Sequence, residues 1–243
     1  GMPMQMPAGL PPGYTPPSTG GGAISLMVSG GVNNNGTITA SAYDGLYGRG
    51  SGGSVYILAN TLSGGGTIRA NGGSASSTRC GGGGRIALIV TGAGADFSGV
   101  GMTNITACGG VGGAGNGGAG TVYLQSTAQS AGKGAVIIDN NNQAGAQTEI
   151  PPKTNAIPSE LERATIVVTN RAAMASTTNV TIGELLIYTN CYWTLTNWTV
   201  SVNQLEHSLE NVTKRGPGAT NRVDHYDQIL WIGHPPGTLF VVH

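Results

Sequence analysis

The sequence predicts an all-β protein built as a parallel β-helix (β-solenoid), with glycine-rich corner loops and a C-terminal cap. Three observations predict it. A pair of short apolar segments recurs along residues 23–139, with repeats starting at residues 23, 54, 85 and 121. Apolar and polar residues alternate within each segment, which is the period of a strand. Glycine, 43 of 243 residues, is concentrated between the segments. Self-similarity at such a period is typical of solenoids.

The first segment of each repeat supplies one apolar column of the predicted core. The four segments are AISLMVSG, SVYILANT, RIALIVTG and TVYLQSTA. The second segments GTITA, GTIRA, NITA and AVIID supply another column through Ile38, Ile68, Ile105 and Ile137. One repeat cannot bury its apolar side chains alone, so we expect neighbouring repeats to stack in register. An antiparallel β-sandwich with glycine-rich insertions is the alternative fold, and the nearly constant step disfavours it.

The glycine-rich segments are predicted to be corners between strands. They are SAYDGLYGRGSGG, NGGSASSTRCGGGG and CGGVGGAGNGGAG. Phosphate binding by such loops requires a helix to follow, and here a strand follows. Calcium-binding glycine repeats require an Asp in each unit, which GGAGNGG lacks. A further hypothesis is that the glycine runs pack on the sheet as polyglycine-type helices.

The other face of the first strands is also apolar, through Met27, Leu58 and Ile89, with Tyr56 and Tyr123 beside them. A strand that is apolar on both faces is usually covered on both faces. The expected cover is the C-terminal half, a glycine loop or another chain, so self-association over this apolar strand face is also predicted.

Three regions follow from the change in composition along the chain. Residues 1–22 are a Pro/Gly-rich linker without the features of a signal peptide, residues 23–143 are glycine-rich solenoid repeats, and residues 144–243 are a second solenoid segment with a C-terminal cap. In the second segment, alternation places Trp193 and Trp198 in the core and turns Tyr188 and Tyr192 outward.

Composition excludes several classes of function. The net charge is zero and only 9% of residues are charged, which disfavours nucleic acid as a partner. The sequence has no run of about 18 apolar residues, so we predict no membrane span. The three cysteines show no CxxC spacing, so we predict neither a metal site nor a cofactor. Cys80 and Cys108 lie in adjacent loops, and an oxidising compartment would allow a disulfide between them.

Two stretches resemble known proteins. The unit SGGSVYILANTLSGGGTIRANGG with GGGGRIALIV resembles the glycine-rich repeats of large secreted bacterial surface proteins. The run NVTIGELLIYTNCYWTLTNWTVSVN resembles the rungs of pectate-lyase-like right-handed parallel β-helices. These resemblances imply an extracellular or cell-surface location and a structural or matrix role.

The first functional hypothesis is a non-enzymatic extracellular structural or adhesion module whose partner is a polysaccharide or another cell-surface protein. Outward aromatic side chains are the expected contacts with sugars, and the candidates are Tyr56, Tyr123, Tyr188 and Tyr192.

The alternative hypothesis is a polysaccharide-degrading β-helix enzyme, a lyase or a glycoside hydrolase. Hydrolysis requires two carboxylates that flank one bond. Asp44, Asp96 and Asp139 occupy unlike positions in the repeats and are not expected to converge. The one dense polar cluster is in the predicted cap, at Glu206, His207, Asp224, His225 and Asp227. A salt-bridged cap and an acid–base or metal site are both compatible with it.

Overall fold

The computed structural model describes residues 19–44, 50–76, 79–130, 132–150, 160–188, 190–195, 197–203, 222–224 and 229–231. In these ranges the chain forms strands and two short 3-10 helices, Met102–Asn104 and Glu160–Glu162, and it forms no α-helix. The all-β prediction is therefore confirmed. The strands are β1 (Ala23–Met27), β2 (Gly31–Asn33), β3 (Thr37–Thr39), β4 (Ser54–Ala59), β5 (Thr61–Ser63), β6 (Thr67–Arg69), β7 (Arg85–Val90), β8 (Ile105–Thr106), β9 (Thr121–Gln125), β10 (Ala135–Asp139), β11 (Thr148–Ile150), β12 (Thr165–Thr169), β13 (Ala173–Ser176), β14 (Val180–Ile182), β15 (Glu184–Ile187), β16 (Tyr192–Thr194), β17 (Val200–Val202), β18 (Arg222–Asp224) and β19 (Ile229–Trp231).

The strands form five sheets. The largest has seven strands in the order β1-β4-β7-β9-β10-β12-β15. The sheets β2-β5 and β3-β6-β8 accompany its first half, and β11-β13-β16-β18 and β14-β17-β19 accompany its second half. Neighbouring strands are parallel except β9 and β10, which are antiparallel, so the seven-stranded sheet is mixed.

The register of the first four strands matches the repeat in the sequence. Ala23 pairs with Ser54, Ser54 with Arg85, and Arg85 with Thr121. Each step therefore aligns apolar with apolar residues on the inner face. A slip by one residue would move the whole apolar set to the opposite face, so burial fixes this register.

The buried face of the seven-stranded sheet changes sides between β9 and β10. Val122 and Leu124 of β9 belong to a first core with β4 and β7, whereas Ile138 of β10 belongs to a second core with β12 and β15. Tyr123 pairs with Val136, so the outer face of β9 continues as the face of β10 that packs against the second core. One continuous sheet thus covers two cores on its opposite faces.

The prediction that AVIID is the fourth member of the second apolar column is wrong. This segment is β10, which pairs with β9 in the seven-stranded sheet and not with β8. The short connection 126–134 returns the chain directly beside β9, and adjacent strands joined in this way are antiparallel.

The glycine-rich segments stack from repeat to repeat through their own backbones. Gly52 N donates to Gly82 O at 2.9 Å, and Gly83 N donates to Gly118 O at 2.9 Å. A Cβ atom on Gly84 would lie 2.0 Å from the carbonyl oxygen of Gly53, closer than any side chain can approach. Glycine is required there because neighbouring backbones are in direct contact.

Asparagines occupy turns between strands from β10 onward. Asn141, Asn170 and Asn190 have positive φ angles of 50°, 52° and 63°, which asparagine adopts at less cost than most residues. Trp193 is fully buried, as predicted, and its Nε1 donates to Ser176 Oγ at 3.0 Å. The prediction for Trp198 is wrong, since this side chain is 38% exposed. It lies in the turn before β17, where strand alternation does not apply.

Among the described residues, cover over the outer face is found on the second half of the sheet and not on the first. Met27 on β1 is 69% exposed, and Leu58 and Ile89 beside it are half-buried. On β12 and β15 the corresponding face is fully buried by the second core, at Ile166 and Leu185. Self-association over the first half stays a prediction.

Candidate functional site

Two rows of side chains cross the outer face of the first half of the sheet. Strand pairing aligns Ser54, Arg85 and Thr121 on β4, β7 and β9 in one row, which we call the polar ladder. Two residues further along each strand, Tyr56 and Tyr123 flank Ala87 in a second row. The strands therefore bring two of the four candidate tyrosines to one face.

The polar ladder forms one wall of a groove of about 710 Å³. The same groove contains Tyr123 of β9 and Thr148 and Glu149 of β11. Its other wall is apolar and belongs to the second core. Val136 and Leu161 are half-buried there, and Ile138, Ile150, Ile166 and Met174 are buried.

The groove is a consequence of the change of face between β9 and β10. The first repeats end at β9 and the second core begins at β10 on the other side of the sheet. Residues of the second core and residues on the outer face of β4, β7 and β9 therefore line the groove together. A large concave pocket with an apolar wall and few polar groups is the usual form of a ligand site.

Contacts on two sides fix the ring of Tyr123. Its hydroxyl group is hydrogen-bonded to Gln125 Oε1, which also accepts a hydrogen bond from Gly132 N at 3.4 Å. A Cβ atom on Gly134 would lie 2.6 Å from Cε2 of Tyr123, so the ring lies directly over this glycine. Tyr123 is half-buried, and the remaining part of the ring is accessible from the groove.

Two charged side chains of opposite sign, Arg85 and Glu149, are among the described residues that line the groove, and both are exposed. The other polar side chains among these described residues are neutral. Sequence reasoning missed Ser54, Arg85 and Thr121, although they hold the same position in successive repeats and could have been found from that alignment. It also missed Glu149, which no repeat pattern connects to them.

The three aspartates accept hydrogen bonds from other parts of the fold: Asp96 and Asp139 within their own turns and Asp44 from the next repeat. Asp44 Oδ1 accepts a hydrogen bond from Ser74 N at 2.7 Å, and Asp139 accepts from Asn141 N at 2.7 Å and from Asn170 Nδ2 at 2.6 Å. Hydrogen bonds from the side chain and backbone of Ser98 lower the pKa of Asp96 from its ordinary value of 3.8. These carboxylates do not converge on one place, as expected.

Tyr188 and Tyr192 lie outside the groove. They are 43% and 40% exposed, which agrees with their predicted outward orientation. Tyr192 borders a separate cavity of about 330 Å³ together with Ala144, Gly145, Arg171, Ala173 and Asn190.

The predicted polar cluster of the cap falls almost wholly outside the described residues. The residues outside the described ranges are Glu206, His207, His225 and Asp227. Asp224 of β18 is described only by its backbone, which pairs with Thr194 of β16. In the part of the chain that the structure describes, no three His, Cys, Asp or Glu side chains are placed to hold a metal ion.

The cysteines Cys80, Cys108 and Cys191 are free thiols. Burial raises the pKa of the Cys108 and Cys191 thiols, which keeps both protonated at neutral pH. No helix among the described residues is long and apolar enough to cross a membrane.

A scan against protein-family models and searches of curated proteins and of solved structures found no match to this chain.

Proposed function

We propose that this chain is a non-enzymatic extracellular or cell-surface module that binds polysaccharide in the groove between its two halves. The observation that carries the proposal is the lining of the groove. A row of hydroxyl and guanidinium donors stands beside one tyrosine ring, opposite an apolar wall. Sugars present hydroxyl groups together with apolar C–H faces, so they match a surface of donors and aromatic rings. The surface location rests on the resemblance of the glycine-rich repeats to secreted surface proteins.

A parallel β-helical architecture for each half is part of the proposal. It is supported by the order of strands along the chain. Strands β1, β2 and β3 pair in turn with β4, β5 and β6. Strands β12, β13 and β14 pair in turn with β15, β16 and β17, starting from residues 165, 173 and 180 against 184, 192 and 200. Such stacking gives a rigid scaffold on which a binding surface is held in fixed register.

Binding is favoured over cleavage because Glu149 is the one carboxylate among the described residues that line the groove. Glycoside hydrolysis in most families requires a second carboxyl group about 5–10 Å from the first. Asp44, Asp96 and Asp139 already accept hydrogen bonds within the protein, and none of them lines the groove.

The proposal is tested by a glycan array with wild-type protein, Tyr123→Ala and Tyr43→Ala. Tyr43 is the matched control because it is 62% exposed and does not line the groove. We expect wild type and Tyr43→Ala to bind the same glycans and Tyr123→Ala to lose about fivefold or more in affinity, since aromatic contacts contribute about 1 kcal/mol beyond burial. Absence of binding by wild type would reject the proposal.

The double variant Tyr188→Ala/Tyr192→Ala separates this groove from the other predicted surface. We expect it to bind as wild type does. Loss of binding in this variant with retention in Tyr123→Ala would move the site to the second half. Disappearance of an arrayed glycan during incubation would instead support the enzyme hypothesis.

A further inference from the structure

We infer that the ligand of the groove is an extended, uncharged glycan that lies across the strands with one sugar per strand. This inference rests on the proposed function and names the class of polysaccharide. It starts from the spacing of the polar ladder. Adjacent strands in a sheet are about 4.8 Å apart, so Ser54, Arg85 and Thr121 span about 9.6 Å along a straight line.

In a linear glycan joined through equatorial bonds, each sugar advances the chain by close to this strand spacing. Successive sugars are turned over relative to one another, so neighbouring ladder residues meet hydroxyl groups on alternate edges of the chain, which hydroxyl and guanidinium donors can both bind. A glycan that coils, as α-linked glucans do, leaves a straight line after one or two sugars. The straight ladder therefore selects for an extended chain.

The surface beside the ladder carries no side chains. The residues that precede the ladder are glycines, and Gly53, Gly84 and Gly120 all line the groove. A Cβ atom on them would lie 1.9, 2.0 and 1.9 Å from a carbonyl oxygen of the neighbouring repeat, so side chains are sterically excluded along this strip. The same bare backbone recurs on three strands and leaves an even surface on which flat sugar rings can lie.

Charge favours an uncharged glycan. The described residues that line the groove include one cation, Arg85, and one anion, Glu149. An acidic polysaccharide carries a negative charge on many successive sugars. Repeated anionic groups are usually held by repeated cations, and the ladder has only one. Arg85 then acts as a multiple hydrogen-bond donor to hydroxyl groups. Tyr123 lies on the same face as Thr121, two residues along β9, where its ring can contact the apolar face of the last sugar.

The experiment is isothermal titration calorimetry with β-1,4-linked gluco-oligosaccharides of one to six sugars, α-1,4-linked gluco-oligosaccharides of the same lengths, and a β-1,4-linked oligomannuronate, which is acidic but extended. We expect affinity for the β-linked glucan series to rise about two- to tenfold per sugar up to three sugars and then to level off, since each ladder residue adds one hydrogen bond. The α-linked series and the oligomannuronate should bind more weakly at every length above two.

The variant Ser54→Ala shortens the ladder by one strand, and Ser51→Ala is its control, because Ser51 is exposed nearby and does not line the groove. In Ser54→Ala the rise should stop at two sugars, while Ser51→Ala should match wild type. Both side chains are exposed, so circular dichroism and thermal melting should show intact folding.

Equal affinity for one and three sugars, or tighter binding of the α-linked or acidic series, would overturn this inference and leave polysaccharide binding itself intact. Failure of wild type to bind any glycan on the array would reject the proposed function as well.

Discussion

Two neighbouring isoleucines of β10 offer a direct test of the change of face in the seven-stranded sheet. Ile138 is 2% exposed and belongs to the second core, whereas Ile137 is half-buried against the first core. Ile138→Ala removes three fully buried carbon atoms. Their transfer to water costs about 2.4 kcal/mol, and the cavity left behind raises the loss to about 3–4 kcal/mol. Ile137→Ala should cost about 1–1.5 kcal/mol, since part of that side chain already contacts water.

Urea denaturation measures these losses, and native-state hydrogen exchange locates them. In stacked proteins each strand depends mainly on its neighbours, so a local loss lowers protection nearby first. Ile138→Ala should weaken protection in β12 and β15, and Ile137→Ala in β7 and β9. A larger loss of stability from Ile137→Ala than from Ile138→Ala would refute the assignment of the two cores.

Three further predictions concern the glycine layer and two turns. Gly84→Ala should lower the free energy of unfolding by more than about 2 kcal/mol in urea, because its Cβ would meet Gly53 O at 2.0 Å. Gly65→Ala, with nothing within 4 Å, should change it by less than about 1 kcal/mol. Asn140 donates through Nδ2 to two carbonyl groups and is 1% exposed. Asn140→Asp should therefore have a raised pKa and be more stable in urea at pH 5 than at pH 8, since only the protonated acid can donate. Asp96 has a lowered pKa, so its stabilisation is present above its ordinary value of 3.8 and is lost as the pH falls further. Acid titrations followed by circular dichroism should show a shallower acid limb in Asp96→Ala.

The alignment of the first apolar segments could be predicted from the sequence because the repeat step and strand alternation specify the same register. The position of β10 could not. AVIID has the same alternation as the other second segments, and alternation identifies a strand without identifying its neighbour or direction. The short connection between β9 and β10 makes these two strands antiparallel neighbours. The prediction for Trp198 was wrong because this residue ends the turn that starts at Leu195 and lies before β17, where strand alternation does not hold.

The candidate site was predictable only on the side formed by repeats. Tyr123 and the polar ladder follow from the register, because parallel strands hold the same repeat position side by side. Glu149 and Ile150 reach the groove because the second core starts on the opposite face of the sheet. That change depends on one antiparallel pairing, which has no local sequence signature.

The change of face leaves an open end on each core, and the two ends differ in what they offer a ligand. The end of the first core is a cavity of about 250 Å³ lined by Ile105, Val122 and Ile137 on one side and by Asp139 and neighbouring asparagines on the other. Both oxygens of Asp139 already accept hydrogen bonds from Asn141 and Asn170, so this polar wall is occupied in holding its own turn. In the larger groove, Ser54 and Arg85 point to solvent from the fixed strands of the sheet. A ligand gains from donors that are not engaged within the protein, because binding them breaks no hydrogen bond of the fold. The change of face between β9 and β10 therefore leaves one core end whose polar groups stabilise the fold and one whose polar groups are open to a ligand.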